Sequence, residues 1–552
     1  LLDPSAVALG LARLVRDPDE DFSEEVALEL AAREGGELVV SGEVGSVGNG
    51  FLLTARILSA EDGAVIAPFR ESAKDLEGLI DAIDAISAKI RGKMGEALRS
   101  VASSEPLHQA TTTSLDALRK YTYAIQRAPR GTISGQRAIE VMEEAIALDT
   151  TFAEAYRCLS ILINNYGGSM ERRATAATQA FRLRDRLPLR KRVLVEASYH
   201  NYVTGEYREA ARAYRGLLDM DSLDAPAAIN LAGITMEGGD YGEAADLLRA
   251  HPKPGDIVWT FNLTAALSGL AKYDEAEQLL AEARTALPGH PYLAPTRGMV
   301  FSLQGREEEA LEELVAGKPF PAGVAPWAAY IEGVIHARAG RFDLALAKFA
   351  ETDELLATRG AHAERMHYGQ AAPFLVGWMG GDRERGMQEL QALTERLPVE
   401  EMAPVDRAFA GTALIYALVG AGAEAETLLD KYVAQVPVES DPAGRSDADV
   451  ARALVRILDG ISVEESQLRP AVDALRTDRV GRLYLGHGHE SAGDAEEAIE
   501  AYEAYLSGGY FDLPQFVLHL PAPVVHERLG VLYEAEGHSE KAIEHYLSLI
   551  HI

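Results

Sequence analysis

The sequence has very little cysteine and no long apolar run. Cys158 is the one cysteine among 552 residues, so no disulfide can form within the chain. A lone cysteine beside Tyr156 and Leu159 is typical of a small core residue. A cysteine count this low fits either side of a bacterial membrane. No apolar run approaches the roughly 20 residues that a membrane-spanning helix needs, so the sequence predicts no direct membrane insertion.

Basic residues are also in short supply, since 53 Lys and Arg stand against 85 Asp and Glu and give a net charge of -32. A surface this acidic repels nucleic acid phosphates and anionic lipid head groups, so we expect neither as a partner. Basic peptides or metal ions are the better electrostatic match, although such a charge also serves simply to keep a long chain soluble. With 47% hydrophobic residues, the chain can bury a large core, either in several compact domains or in one repeat array.

Several patterns of enzymes and metal sites are missing or incomplete. His-Glu-x-x-His, Gly-x-Ser-x-Gly and paired cysteines are absent from the sequence. His487, His489 and Glu490 lie close together, but on a helix residues two apart point about 200° away from each other. We therefore interpret the two histidines as core or rim residues. The sequence predicts no catalytic residues, no bound metal and no cofactor, and hence a protein that is not an enzyme.

The chain begins at Leu1 rather than at methionine, and no signal peptide is visible. We interpret it as a fragment or a processed product. Residues 1–105 predict a small α/β module. Helical and strand patterns place helices at 23–33 and 75–101 and strands at 38–44, 51–58 and 64–69.

The glycines at positions 42, 45, 48 and 50 lie at the end of the first predicted strand and in the turn before the second. Asn49-Gly50 is a hairpin signal. The stretch lacks the Gly-Lys-Ser/Thr of a nucleotide loop, and no helix follows it directly. The sequence therefore favours a hairpin over a phosphate site.

This helix–strand–strand–strand–helix order resembles the TolB-like N-terminal domain of bacterial multidomain proteins. The likeness is carried by REGGELVVSGEVGSVGNGFLLTARILSAEDGAVIAPFRESAKD, within about the first fifth of the chain. The first strand of that domain would precede Leu1, in agreement with a truncated chain.

The stretch 529–550, LGVLYEAEGHSEKAIEHYLSLI, has the pattern of two short amphipathic helices joined at Gly537. Gly530 and Ala542 are small where the two helices would cross. A small residue recurs near the start of a second helix through most of the chain. These residues are Ala138, Ala210, Ala244, Ala276, Ala310, Ala345, Gly386, Ala425, Ala498 and Ala542.

Residues 106–552 resemble tetratricopeptide repeats, whose period is about 34 residues. The resemblance also rests on turns before the small residue and on closing prolines at Pro288, Pro398 and Pro437. The turns are Gly205-Glu206-Tyr207, Gly239-Asp240-Tyr241, Lys272-Tyr273, Gly305-Arg306, Gly340-Arg341-Phe342, Gly381-Asp382, Gly493-Asp494 and Gly537-His538. The resemblance implies a mainly α fold, a right-handed solenoid of about twelve helix pairs. Irregular units are expected at 170–184, 462–476 and 507–514.

In tetratricopeptide arrays the first helices line the concave face, so the resemblance implies where a ligand would lie. It directs these residues toward the groove: Tyr199, Tyr202, Asn230, Phe261, Asn262, Tyr292, Trp327 and Tyr330. Aromatic side chains there can stack on proline or sugar rings or hold apolar peptide side chains. The alternative is that they pack against neighbouring helix pairs. The lysine or arginine set that would capture a terminal carboxylate is incomplete, so a basic segment suits the groove better.

The joining segment EALRSVASSEPLHQATTTSLDALRKYTYAI looks like that of bacterial receptor-type serine/threonine kinases, in the half that follows the membrane span. No kinase motif is present in this chain. The resemblance implies a scaffold or sensor on the periplasmic side, with a cytoplasmic location as the alternative. We expect a protein-interaction module that binds an extended peptide or partner protein. The alternatives are a structural subunit of a larger assembly and, last, a glycan-binding protein.

Overall fold

The computed structural model describes residues 23–48, 50–75, 78–94, 112–128, 133–237, 239–436, 442–458, 479–507 and 522–551. These residues pack as two compact units. The first unit lies within 1–167, 173–199 and 253–256, and the second within 168–172, 200–252 and 257–552. The predicted division at 105/106 falls in a stretch outside the described residues and stays a prediction.

The first unit begins with the predicted α/β module. Its elements are α1 (Glu24–Arg33), β1 (Leu38–Val47), β2 (Gly50–Ser59), β3 (Val65–Ala73) and α2 (Gly78–Lys93). The strands form one antiparallel sheet in the order β1–β2–β3. This order of elements confirms the sequence prediction for residues 23–94. Strand β3 extends beyond its predicted end at 69 because it pairs along the length of β2, with Ala73 opposite Phe51.

The glycine-containing stretch is a hairpin, as predicted. Val47 pairs with Gly50 across the turn, and Gly48 adopts a left-handed φ of 63° that favours glycine. Asn49 lies outside the described residues. Leu53 on β2 packs with Ile86 of α2, so the central strand and the second helix share a core.

Helices fill the rest of the first unit. They are α3 (Leu115–Arg127), α4 (Gly135–Leu148), α5 (Ala153–Tyr166), residues 173–182 of α6 (Met170–Arg182), a 3-10 turn (Arg184–Arg186) and α7 (Leu189–Tyr199). Ser114 and Ser134 cap α3 and α4 by accepting hydrogen bonds from backbone N–H groups. Helix α6 confirms the irregular second helix expected at 170–184. Cys158 packs against the α3–α5 core, as the sequence predicted.

The second unit contains a π-helical turn (His200–Thr204) followed by consecutive helices. They are α8 (Tyr207–Met220), α9 (Ala225–Glu237), α10 (Tyr241–Ala250), α11 (Ile257–Gly269), α12 (Tyr273–Ala286), α13 (Leu293–Leu303), α14 (Glu307–Ala316), α15 (Ala325–Arg338) and α16 (Phe342–Ala357). They continue with α17 (His362–Tyr368), α18 (Ala371–Phe374), a π turn (Leu375–Met379), α19 (Arg383–Glu395), a 3-10 turn (Pro404–Arg407), α20 (Phe409–Leu418) and α21 (Gly422–Gln435). The last are α22 (Pro442–Leu458), α23 (Arg479–Ala492), α24 (Ala495–Ser507), α25 (Ala522–Ala535) and α26 (Ser539–His551).

Successive helices of the second unit pack as pairs, for example α15 with α16 and α25 with α26. The sequence predicted nine alanines at second-helix crossings in the two units. Each of them is at most 3% exposed, and Gly386 is buried too. A left-handed residue ends most first helices. Gly340 does so with φ 70°, and Ala271 takes the same role before Lys272 with φ 55°.

Neighbouring pairs also pack through their first helices, as α13 does with α15. Helix α15 is buried around most of its circumference from Pro326 to Ala337, with Glu332 partly exposed, because most of its side chains are apolar. Three predictions lie outside the described residues: the helix at 462–476, Pro437 and the joint after Ser507.

A candidate binding face in the second unit

The eight predicted groove residues are divided between the two units. Tyr199 belongs to the first unit, where its ring stacks on Phe181 at 4.1 Å between centroids. Tyr202 lies half-buried in the π turn of the second unit. Asn230 is exposed on α9, and its Nδ2 donates to the carbonyl oxygen of Pro226 in the same helix at 2.7 Å.

The structure brings Tyr292, Trp327 and Tyr330 together. The rings of Tyr292 and Trp327 lie 5.5 Å apart, and the ring of Tyr330 lies 4.7 Å from that of Tyr368. Phe261 packs against the same core, and Asn262 beside it is half-buried. Separations of this size are those of stabilising aromatic pairs.

Burial divides these aromatic residues into two groups. Trp327 is 9% exposed and Tyr330 is 1% exposed, so both lie in the core, where the packing alternative had put them. The reason is that α15 is covered around most of its circumference. Tyr292, Phe261 and Tyr368 are half-buried. Whether any of them contacts a ligand stays a prediction.

A charged pair lies beside these rings. The Arg359 guanidinium is 3.8 Å from the Glu364 carboxylate, and both side chains are 19% exposed. Burial raises the pKa of Glu364, and Arg359 opposes that rise. Burial also raises the pKa of Tyr292, on which Arg359 and Glu364 act in opposite directions. We call Tyr292, Trp327, Tyr330, Arg359, Glu364 and Tyr368 the Tyr292 cluster.

Burial also raises the pKa of Tyr368, and the Glu364 carboxylate adds to the rise. Both half-buried phenols of the cluster are therefore neutral at pH 7. A neutral phenol donates one hydrogen bond and accepts others. The cluster thus offers two hydroxyl groups and one ion pair beside apolar ring faces.

Three buried nitrogen atoms in and near the cluster have no hydrogen-bond partner among the described residues. They are Nε1 of Trp327, Nδ1 of His290 and Nδ1 of His362. The His290 ring lies 5.9 Å from that of Tyr292, and burial lowers the pKa of His290 to about 4. Buried polar groups are usually paired, and leaving one unpaired costs about 1–3 kcal/mol. Such a concentration is typical of a site not optimised for stability alone.

The sequence did not single out Arg359, Glu364, Tyr368, His290 or His362. Four of them lie in the irregular spacing between the small residues at 345 and 386, where the repeat register gave no equivalent position. That irregular spacing was the available signal.

His487 and His489, which the sequence did not favour as metal ligands, both lie on α23. His487 is edge-on to the ring of Trp378 at 5.8 Å and within 3.3 Å of an Arg528 guanidinium nitrogen. His489 lies 3.8 Å from Asp494. His487 is thus a rim histidine, as the sequence indicated. The part of the chain that the structure describes contains no group of three or more His, Cys, Asp or Glu side chains placed to hold a metal.

Within the described ranges, every helix is too short or too polar to cross a membrane.

A family model described as a tetratricopeptide repeat matches residues 199–257. The match spans the end of α7 to the start of α11 and includes the turns at Gly205 and Gly239. It supports the repeat assignment there. No curated protein matches the sequence.

Solved structures similar to this chain include the APC/C hetero-tetramer Cut9-Hcn1, with a TM-score of 0.41 at 13% identity, covering 85% of this chain and 80% of that one. A tetratricopeptide repeat protein from Parabacteroides merdae gives a TM-score of 0.30 at 13% identity, covering 44% of this chain and 94% of that one. The human IFIT1 dimer with m7Gppp-AAAA gives 0.32 at 13% identity, covering 72% and 89%. Likenesses this distant carry no argument about function.

Proposed function

We propose that this chain is a non-enzymatic protein-interaction module whose second unit binds an extended segment of a partner protein at the Tyr292 cluster. The observation that carries the proposal is the half-buried Tyr292 and Tyr368 beside an ion pair and a buried, unpartnered indole N–H. Helical repeats that pack side by side are suited to binding partner segments along their surface.

The chemistry of the cluster suits a peptide. The half-buried rings of Tyr292 and Tyr368 can stack on proline or cover apolar side chains. Their neutral hydroxyls can bind backbone groups, which an extended segment presents at regular intervals. Arg359 and Glu364 can each pair with an opposite charge of the partner and so fix its register.

The net charge of -32 favours a basic segment, because long-range attraction speeds the encounter of opposite charges. It opposes nucleic acids for the same reason. The α/β module and the receptor-kinase likeness favour a sensor or scaffold role on the periplasmic side, as part of a longer polypeptide. A structural subunit that packs into a larger assembly is the alternative, and glycan binding ranks below both.

The test is a peptide selection on the purified chain, followed by measurement of Kd for the selected peptides. Tyr292→Ala removes a ring from the cluster, and Tyr207→Ala is the matched control, because Tyr207 is a 47% exposed tyrosine on α8. A central aromatic contact contributes about 2 kcal/mol, so we expect Tyr292→Ala to weaken binding about 30-fold. Tyr207→Ala should leave Kd unchanged.

Tyr292→Phe keeps the packing and removes only the hydroxyl, so it separates loss of binding from loss of folding. Circular dichroism of each variant checks that the helices persist. Peptides that bind Tyr292→Ala and the parent chain equally would refute the assignment to this cluster. Stoichiometric self-association in sedimentation, with no peptide selected, would favour the structural-subunit alternative.

A further inference from the structure

A short stretch of the first unit has the opposite charge to the rest of the chain. Residues 182–192, RLRDRLPLRKR, contain six basic residues and one acidic residue, whereas the whole chain has a net charge of -32. We call these residues the basic loop. They join α6 to α7 and include the 3-10 turn. Such a local reversal of charge is a candidate interaction surface.

Backbone hydrogen bonds hold the basic loop in shape. The N–H of Arg186 donates to the Leu183 carbonyl at 3.1 Å, and the N–H of Leu187 donates to the Arg184 carbonyl at 2.9 Å. Beyond the turn, Arg192 donates from its backbone to the Pro188 carbonyl at 2.9 Å. The positive side chains are therefore presented from an ordered backbone, which lowers the entropy cost of binding.

Two exposed arginines of the basic loop form no ion pair with a carboxylate of the described residues. Arg182 is exposed at the end of α6. Arg186 is exposed as well, and its guanidinium donates to the carbonyl oxygen of Thr151 at 3.3 Å. A carbonyl oxygen is neutral, so this bond orients the side chain, and the Asp149 carboxylate interacts with its charge from beyond ion-pair distance.

Arg184 and Lys191 of the basic loop each have a carboxylate neighbour. Arg184 lies 3.9 Å over the Phe181 ring and 3.4 Å from Glu196. Lys191 lies 3.5 Å from Glu154, which already accepts a hydrogen bond from Arg157 at 2.8 Å. Because one carboxylate is shared between two cations, positive charge remains in excess.

An apolar side chain lies within this positive surface. Leu189 is 60% exposed, directly after Pro188 and before three consecutive basic residues. It begins α7, whose first turn contains no acidic residue. Basic side chains in the first turn repel the positive end of the helix dipole, so the loop has a charge arrangement that an anionic partner would stabilise.

We propose that the basic loop docks an acidic segment of a partner polypeptide, with carboxylates on Arg182 and Arg186 and an apolar side chain against Leu189. A short peptide can contact the loop alone. A nucleic acid or a membrane extends far beyond eleven residues and would be repelled by the acidic remainder of the chain. The basic loop belongs to the first unit and binds an acidic partner, whereas the Tyr292 cluster belongs to the second unit and is proposed to bind a basic one. This inference therefore does not depend on the Tyr292 cluster.

The experiment measures fluorescence anisotropy of a labelled peptide of alternating Glu and Leu, with a Lys and Leu peptide as the charge control. The full chain is compared with Arg182→Ser/Arg186→Ser. The matched control is Arg119→Ser/Arg212→Ser, which removes the same charge at sites that are 62% and 74% exposed. The basic-loop variant should bind the acidic peptide about tenfold more weakly, since each exposed pair contributes modestly. The matched control should retain affinity.

Binding of the acidic peptide should weaken as salt rises, because salt screens exposed charges. Leu189→Ser tests the apolar contact at unchanged charge and should also weaken binding. The proposal is overturned if the acidic peptide does not bind at low salt, or if both double variants lose affinity equally. It is also overturned if single-stranded RNA or phosphatidylserine vesicles bind the loop and the acidic peptide does not.

Discussion

Gly386 tests the close helix crossing most sharply, because alanine occupies the equivalent place in the other pairs singled out from the sequence. Gly386 on α19 faces Gly377 in the preceding π turn. A Cβ added to Gly386 would lie 2.4 Å from the Cα of Gly377 and 3.1 Å from Cγ1 of Val419. The first of these neighbours is backbone and cannot rotate away, so the two helices must move apart.

Two effects oppose each other in Gly386→Ala. Replacing glycine by alanine inside a helix stabilises it by about 1 kcal/mol. Overpacking a close contact destabilises by about 1–3 kcal/mol, and a clash with backbone lies at the upper end of that range. The steric effect exceeds the helix propensity, so we expect a net loss of about 1–2 kcal/mol.

The matched control is Gly216→Ala on α8. No heavy atom lies within 4 Å of a Cβ at Gly216, so only the helix propensity changes. We expect a gain of about 0.5–1 kcal/mol.

Repeat arrays unfold in more than one step, so stability is measured locally by hydrogen exchange of α19. The fluorescence of the nearby Trp378 monitors unfolding in urea. If Gly386→Ala proved as stable as the parent chain while Gly216→Ala gained stability, the inferred backbone contact would be wrong.

Three further predictions concern buried polar groups. Burial lowers the pKa of His290 to about 4, below its unfolded value of 6.5, so stability is complete above pH 6.5 and falls as the pH drops toward 4. The free energy of unfolding, measured by urea titration, should fall by about 2 kcal/mol between pH 7 and pH 5, and His290→Gln should abolish this loss. Glu154→Gln should cost about 3 kcal/mol in the hydrogen exchange of α5, because it leaves the 15% exposed Arg157 side chain without its carboxylate, whereas Glu140→Gln on the surface should cost little. Burial raises the pKa of Cys158, so its alkylation should be slower in the folded chain than in urea, and equal rates would contradict its place in the core.

The α/β module was predictable because its signals are local. Alternating apolar residues, the glycines at the turn and the Ser23 cap each act within a few residues of their own position. Two strands run beyond their predicted ends, β1 to Val47 and β3 through polar residues to Ala73, because their pairing partner on β2 is not visible in the local pattern.

The candidate site was predictable only in part, because burial depends on residues far along the chain. Register directed both Tyr292 and Trp327 toward a groove, but the apolar surroundings of α15 that bury Trp327 come from several helices. Arg359 and Glu364 could not be anticipated, since the spacing of the repeat is irregular between Ala345 and Gly386.

The sequence by itself determined the repeated helix pairs. Small residues such as Ala345 and left-handed turns such as Gly340 specify each crossing locally. Only the tertiary structure decided which side chains meet across many residues. Within the second unit, Asp406 is 5% exposed and accepts a hydrogen bond from the backbone N–H of Met170 at 2.6 Å, across a separation of 236 residues. No single repeat encodes such a contact, because it depends on how the helices of the second unit stack together.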